Sequence, residues 1–183
     1  MVLPIYTYGH PVLRKIAKDI DKDFPNLEKL ISDMWQTMYE TDGVGLAAPQ
    51  IGKSIRLFVI DATPFKEIDP ATDGFKKVFI NAKITERSGD EWPMGEGCLS
   101  IPNLNEDVYR KDKVTIEYYD ENFEFHTEEY DGYRARVIQH EYDHLEGKLF
   151  IDHLSLLRKK LLKGKLNQIA KGKVRSSYRT VSA

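Results

Sequence analysis

One cysteine in 183 residues, Cys98, excludes an intramolecular disulfide, so packing, hydrogen bonding or a metal must hold this chain together. No apolar run approaches the length that crosses a bilayer. The opening residues, Met1 to His10, lack a basic stretch followed by an apolar one and lack Arg- and Ser-rich transit character. They read as mature, cytoplasmic protein with no membrane association. No repeat and no linker-like composition divides the chain, and a single domain over 1–183 is expected. Acidic residues are missing from His153 to Ala183, which carries nine Lys and Arg. Against the overall net charge of −2, this leaves the rest of the chain at −11. A basic end of this kind suits an anionic partner, or simply a solvated helix face. Hydrophobic content of 41% and charged content of 31% fit an ordinary globular core.

What is present centres on His140-Glu141-Tyr142-Asp143-His144. Residues four apart share a helix face, so both imidazoles can reach one ion. Glu141, about 100° around the helix from His140, can touch a water on that ion without ligating it. Val137, Ile138 and Leu145 supply apolar positions and Gly147 a stop, giving a helix of roughly 131–146. A catalytic site needs a third protein ligand. No acid follows Asp152, and Phe150 stands where one protease pattern has a third histidine. Cys98, in Gly95-Glu-Gly-Cys-Leu-Ser-Ile-Pro102, can complete an open Cys/His₂ set, with the Leu99 N–H beside it as an oxyanion donor.

Elsewhere, Leu27, Leu30, Ile31, Met34, Trp35, Met38 and Tyr39 form the stripe of an amphipathic helix over about 26–40. Gly43 to Gly52 is small, apolar and too irregular for a regular element. Strands are expected at 56–60, 77–81, 83–85, 113–119 and 123–126, with a surface loop over 61–74. His126 reads as exposed and not a ligand. A last helix, about 155–170, is expected to bury Leu156, Leu157, Leu161, Leu162, Leu166 and Ile169 as one face, with a frayed end after Lys171. No strong exposed apolar patch is apparent, and a monomer is expected.

Three stretches, Gly43-Val-Gly-Leu-Ala-Ala-Pro-Gln50, Glu96-Gly-Cys-Leu-Ser100 and Gln139-His-Glu-Tyr-Asp-His-Leu-Glu-Gly147, together resemble the ordered signature motifs of the peptide deformylases. The resemblance spans nearly the whole chain. It implies an α+β fold: antiparallel β-sheets around a central helix carrying the His-Glu-x-x-His motif, an N-terminal amphipathic helix and a C-terminal helix. It implies that Cys98, His140 and His144 ligate one divalent metal, with Fe²⁺ expected in the cell and Zn²⁺, Ni²⁺ or Co²⁺ as substitutes. Iron beside a thiolate would bring oxygen sensitivity. Glu141 would be general base and then general acid, and the Gln50 side chain and Leu99 N–H would hold the oxyanion. Val44, Gly45 and Gly97 would pair with the substrate backbone, and Val137 would line the methionine pocket. Asn105 replaces an arginine that some relatives carry, which leaves preference beyond the first residues open. The implied substrates are N-formyl-methionyl nascent chains, with no DNA partner. Ribosome contact could run through Lys159, Lys160, Lys163, Lys165, Lys171 and Lys173. Two other readings compete: a metallopeptidase, and a ribosome- or RNA-binding module with a structural metal. The first lacks its downstream ligand, and the second would need a fourth protein ligand.

Overall fold

The run Leu57-Phe58-Val59-Ile60 is buried at every position, which a strand achieves only in a sheet covered on both faces. The computed structural model, which describes residues 1–183, shows this arrangement. In order the elements are β1 (Ile5–Tyr6), α1 (Leu27–Glu40), β2 (Gly45–Ala47), β3 (Leu57–Asp61), β4 (Lys76–Cys98), β5 (Ile101–Tyr119), β6 (Phe125–Asp131), α2 (Gly132–Leu145), α3 (Leu156–Ala170) and β7 (Thr180–Val181). Strands β2 to β6 form one antiparallel sheet in chain order, and β1 pairs in parallel with β7. The fold is a mixed α/β arrangement of antiparallel sheet and three helices.

Alternation along β3 divides the core. Phe58 and Ile60 face α2, in a cluster with Phe79, Ile116, Val137, Ile138 and Leu145. Leu57 and Val59 face α1, against Leu30, Ile31, Met34 and Met38. A third cluster packs Leu162, Leu166 and Ile169 of α3 onto Ile101, Leu104 and Val108 of β5. In α1 the buried stripe is narrower than its sequence suggests. Trp35 is half-buried and Tyr39 is 46% exposed, and the Lys76 ammonium sits 4.6 Å and 5.4 Å from their ring centres. The cation lets both rings face water at little cost.

Four expectations need correction. Gly43–Gly52 is not irregular: it holds β2 and a 3-10 turn over Ala48–Ile51. The separate strands expected near 77–85 are one strand of 23 residues, paired with the 19 of β5 through several register shifts. In α3, Leu156, Leu157 and Leu161 are 85%, 69% and 64% exposed, while Leu162, Leu166 and Ile169 are buried. Only the Leu162, Leu166 and Ile169 row meets β5, so the other three leucines are left as an exposed apolar patch. Residues after Lys171 are not frayed, because they return to pair with β1.

The 61–74 loop has a definite task. Asp69 accepts the Tyr133 N–H at 3.1 Å across the start of α2, while its other oxygen caps the 3-10 turn at Pro70–Thr72. Gly132, at φ +55°, leaves the room this needs, since a Cβ there would lie 2.8 Å from the carboxylate. Phe65 packs on Tyr133, ring centres 5.0 Å apart. Asp69→Ala is expected to cost about 1 kcal/mol through the lost cap, lowering Tm by about 2–4 °C. Thermal unfolding monitored by circular dichroism checks this.

Candidate active site

Three chain segments meet at one cleft of about 410 Å³. The end of β4 brings Cys98, α2 brings His140, Glu141 and His144, and the turn after β2 brings Gln50. Ligand atoms of Cys98, His140 and His144 all lie within 4.8 Å of one another, with Cys98 Sγ 3.5 Å from His144 Nε2. Of the ten residues expected at the site, only His144 does not line the cleft. It lies behind the opening, 1% exposed. Val44, Gly45, Gly97, Leu99 and Val137 are all on the wall.

Gln50 and His140 are each aimed by a second contact. Gln50 Oε1 accepts the Ala47 N–H at 2.9 Å, which turns Nε2 toward Cys98 Sγ and Ser100 Oγ, each at 3.4 Å. His140 Nδ1 bonds Glu96 Oε1 at 2.8 Å, leaving Nε2 for the site. Glu96 in turn takes Arg110 at 2.8 Å and Arg136 at 3.3 Å. Arg110 also holds Asp143 at 2.8 Å, and His153 holds the same carboxylate at 2.7 Å. Burial works to raise Glu96, but His140 and Arg110 outweigh it and hold the carboxyl at about 2.

Glu141 is 3% exposed, and its Oε2 has no hydrogen-bond partner. Burial pushes its carboxyl up to about 7, against partial opposition from His140. Gly45 makes its position possible, since a Cβ there would come within 2.7 Å of Glu141 Cγ and Cδ. Gly45→Ala is therefore expected to push Glu141 aside and cut turnover about 100-fold, in line with displacements of about 1 Å elsewhere. Steady-state kinetics with a circular dichroism control checks it.

The donor set fits a divalent cation. Burial, with the His140 charge next, pushes His144 down to about 3, so its ring is neutral and ready to ligate. His140 is the reverse: burial opposes its proton, yet Cys98, Glu96 and Glu141 hold that proton well above the ordinary imidazole range. The pocket thus recruits positive charge among a thiol, two imidazoles and a carboxylate oxygen that lacks any protein partner. One thiolate and two imidazoles form a mixed set of the kind open catalytic sites use.

His126, expected to be no ligand, sits near Asp120 and Glu124 at the β5–β6 turn. Its 2.7 Å bond to Asp120 and its stacking on Tyr118 account for that position. Sequence reasoning missed Glu96, Arg110, Asp143, His153 and Tyr178 as parts of the site. Glu96 and Asp143 stood inside recognised motifs, and that was the available signal. Arg110 had none, because it reaches the site only through strand pairing. Tyr178 lines the cleft from the C-terminal tail and donates to the Leu99 carbonyl at 2.8 Å. Burial and the nearby Cys98 push its phenol up to about 12, which keeps it a donor.

The family model described as polypeptide deformylase matches residues 2–160. The peptide deformylase of Christiangramia forsetii is 58% identical, over 98% of this chain and 95% of its own length. That of Flavobacterium psychrophilum is 56% identical, over 98% and 96%. The crystal structure of peptide deformylase from Thermus thermophilus is 40% identical. It superposes with a TM-score of 0.81, covering 94% of this chain and all of its own. A cleft that gathers a thiol, two imidazoles and an unpaired carboxylate, on a fold shared end to end with these proteins, leaves one assignment: the chain belongs to the polypeptide deformylase family.

Proposed function

We propose that this protein removes the formyl group from the N-terminal formyl-methionine of newly made chains, releasing formate. One divalent ion would be held by Cys98, His140 and His144. The observation that carries this is the convergence of those three ligand atoms within 4.8 Å beside a buried, partnerless carboxylate. The ion would supply Lewis acidity toward the formyl oxygen and ease ionisation of water. Iron(II) is the proposed ion, with zinc, nickel or cobalt as substitutes.

The remaining work belongs to the chain. Glu141 takes a proton from the attacking water and returns it to the departing amine, roles open to a buried carboxylate whose Oε2 has no protein partner. Gln50 Nε2, aimed by the Ala47 N–H, and the Leu99 N–H hold the negative charge that grows on the formyl oxygen. Val44, Gly45 and Gly97 lie where a substrate backbone can pair in extended form, and Val137 offers apolar contact to the methionine side chain. Glu96 keeps the His140 ring turned with Nε2 toward the site.

The basic segment would serve nascent-chain delivery. Lys159, Lys160, Lys163, Lys165, Lys171 and Lys173 lie on or just after α3, and phosphates of ribosomal RNA are their proposed partners. No helix is long and apolar enough to cross a membrane. The test of function is formate release from formyl-Met-Ala-Ser by anaerobically prepared protein of assayed metal content. Release is the expected result. A metal-loaded protein that releases none would overturn the reading.

A further inference from the structure

The turn joining β4 to β5 consists of Leu99 and Ser100, and it carries the N–H assigned to the oxyanion. Turn tips are ordinarily mobile, whereas an oxyanion donor must be held within about 0.5 Å of its productive position. This turn is pinned from outside by both ends of the chain. The Ser100 carbonyl accepts the Tyr8 N–H at 2.8 Å, from the N-terminal arm. The Leu99 carbonyl accepts the Tyr178 hydroxyl at 2.8 Å, from the C-terminal tail.

The tail reaches this position by a defined path. Ile5 N–H bonds Arg179 O and Thr7 N–H bonds Val181 O, each at 2.9 Å, which builds the parallel β1–β7 pair around Tyr178. Asn103 Nδ2 holds the Arg175 carbonyl at 2.9 Å, fixing the tail to the strand that follows the turn. Where the tail leaves α3 the packing is close, since a Cβ on Gly9 would lie 2.7 Å from that of Ala170. The family model stops at residue 160, ahead of this tail, whereas the matched relatives extend over 98% of the chain.

We propose that the C-terminal tail is a strap over the oxyanion side of the cleft, with Tyr178 as a positioning residue for the reaction. By holding the Leu99 carbonyl, its hydroxyl fixes the neighbouring peptide whose N–H meets the formyl oxygen. The proposal rests on the deformylase reading above. It predicts a particular division of effects. Ground-state contacts from Val44, Gly45, Gly97 and Val137 are untouched by removing one hydroxyl, while aim at the developing charge is lost.

Tyr178→Phe in the full-length, metal-loaded protein tests this, because the ring and its packing remain. Expected is a fall in kcat of about 10-fold, smaller than the roughly 10²–10³ that follows outright removal of an oxyanion donor. KM should stay within about twofold, since uniform binding is unchanged. Metal content should match wild type, and Tm should fall by no more than about 2–4 °C for the one hydrogen bond lost. Amide hydrogen exchange at Leu99 and Ser100, read without substrate, should speed up about 10-fold or more, while α2 amides do not change. Wild-type kcat in the variant, or a lower kcat with unchanged exchange at the turn, overturns the proposal. A wild-type protein that releases no formate sinks the deformylase reading and the kinetic half with it. Unaltered kinetics beside an active wild type sinks this proposal alone.

Discussion

Glu141→Gln is expected to lower formate release by about 10³–10⁴-fold while leaving the metal content unchanged. The carboxylate is not among the three converging ligand atoms, so the ion keeps its full protein set. The amide keeps the volume and the fit against Gly45 but cannot accept and return a proton. Stability should move the opposite way. Burial raises the carboxyl from 4.5 to about 7, so the folded protein holds a proton that the unfolded chain has already lost. Over that interval the folded state binds more protons, and stability of the metal-free wild type falls as pH rises through it. The glutamine variant carries no such penalty. In metal-free protein it should melt above wild type at pH 8, with the gap narrowing toward pH 5. Metal assay, kinetics and melting curves at the two pH values decide the point. A variant that loses metal along with activity would make Glu141 a ligand rather than a base.

The parts of this site legible in the sequence are those whose geometry is local. His140, Glu141 and His144 lie within two turns of one helix, so spacing alone places both imidazoles on one face. The helix runs from Gly132 to Leu145, within a residue of its sequence-derived bounds. Cys98 was reachable because the protease patterns did not close and one thiol remained. Glu96, Arg110, Asp143 and His153 are another matter. Their ion pairs span 10 to 33 residues of separation, and the one that joins Glu96 to Arg110 depends on the register of β4 against β5. That register shifts several times, and Gly89, Pro93, Gly95 and Gly97 break up the alternation that would mark a long strand. A strand interrupted in this way reads as fragments.

The C-terminal segment misled for a related reason. From Gly172 to Ala183 no apolar periodicity exists, so nothing local requires structure. Its order comes from pairing with β1 and from Tyr178 seated beside Leu99, both contacts with distant residues. The α3 leucines show the converse error. A leucine-rich helix with no acids looks singly amphipathic, yet only the Leu162-Leu166-Ile169 row meets β5. The ridge of Leu156, Leu157 and Leu161 faces outward among lysines.

Cys98→Ala is expected to abolish stoichiometric metal binding and, with it, all measurable formate release. Sγ is one of three ligand atoms, and the remaining two imidazoles sit on one helix face with no other thiol in the chain. Of the nearby acids, Glu141 is fixed against Gly45, and Glu96 and Asp143 are held in ion pairs with Arg110, Arg136 and His153. A ligand that binds the folded state alone stabilises it by RT ln(1 + [L]/Kd), so adding Zn²⁺ or Ni²⁺ should raise the melting temperature of wild type. The variant should show no such rise. Its metal-free melting point should stay close to that of metal-free wild type, because Cys98 is only partly buried and its methylene remains as the alanine methyl. Elemental analysis after anaerobic purification, with melting curves with and without ion, separates a lost ligand from a lost fold. Full metal content in Cys98→Ala would overturn the ligand assignment and point to the imidazoles with a carboxylate instead.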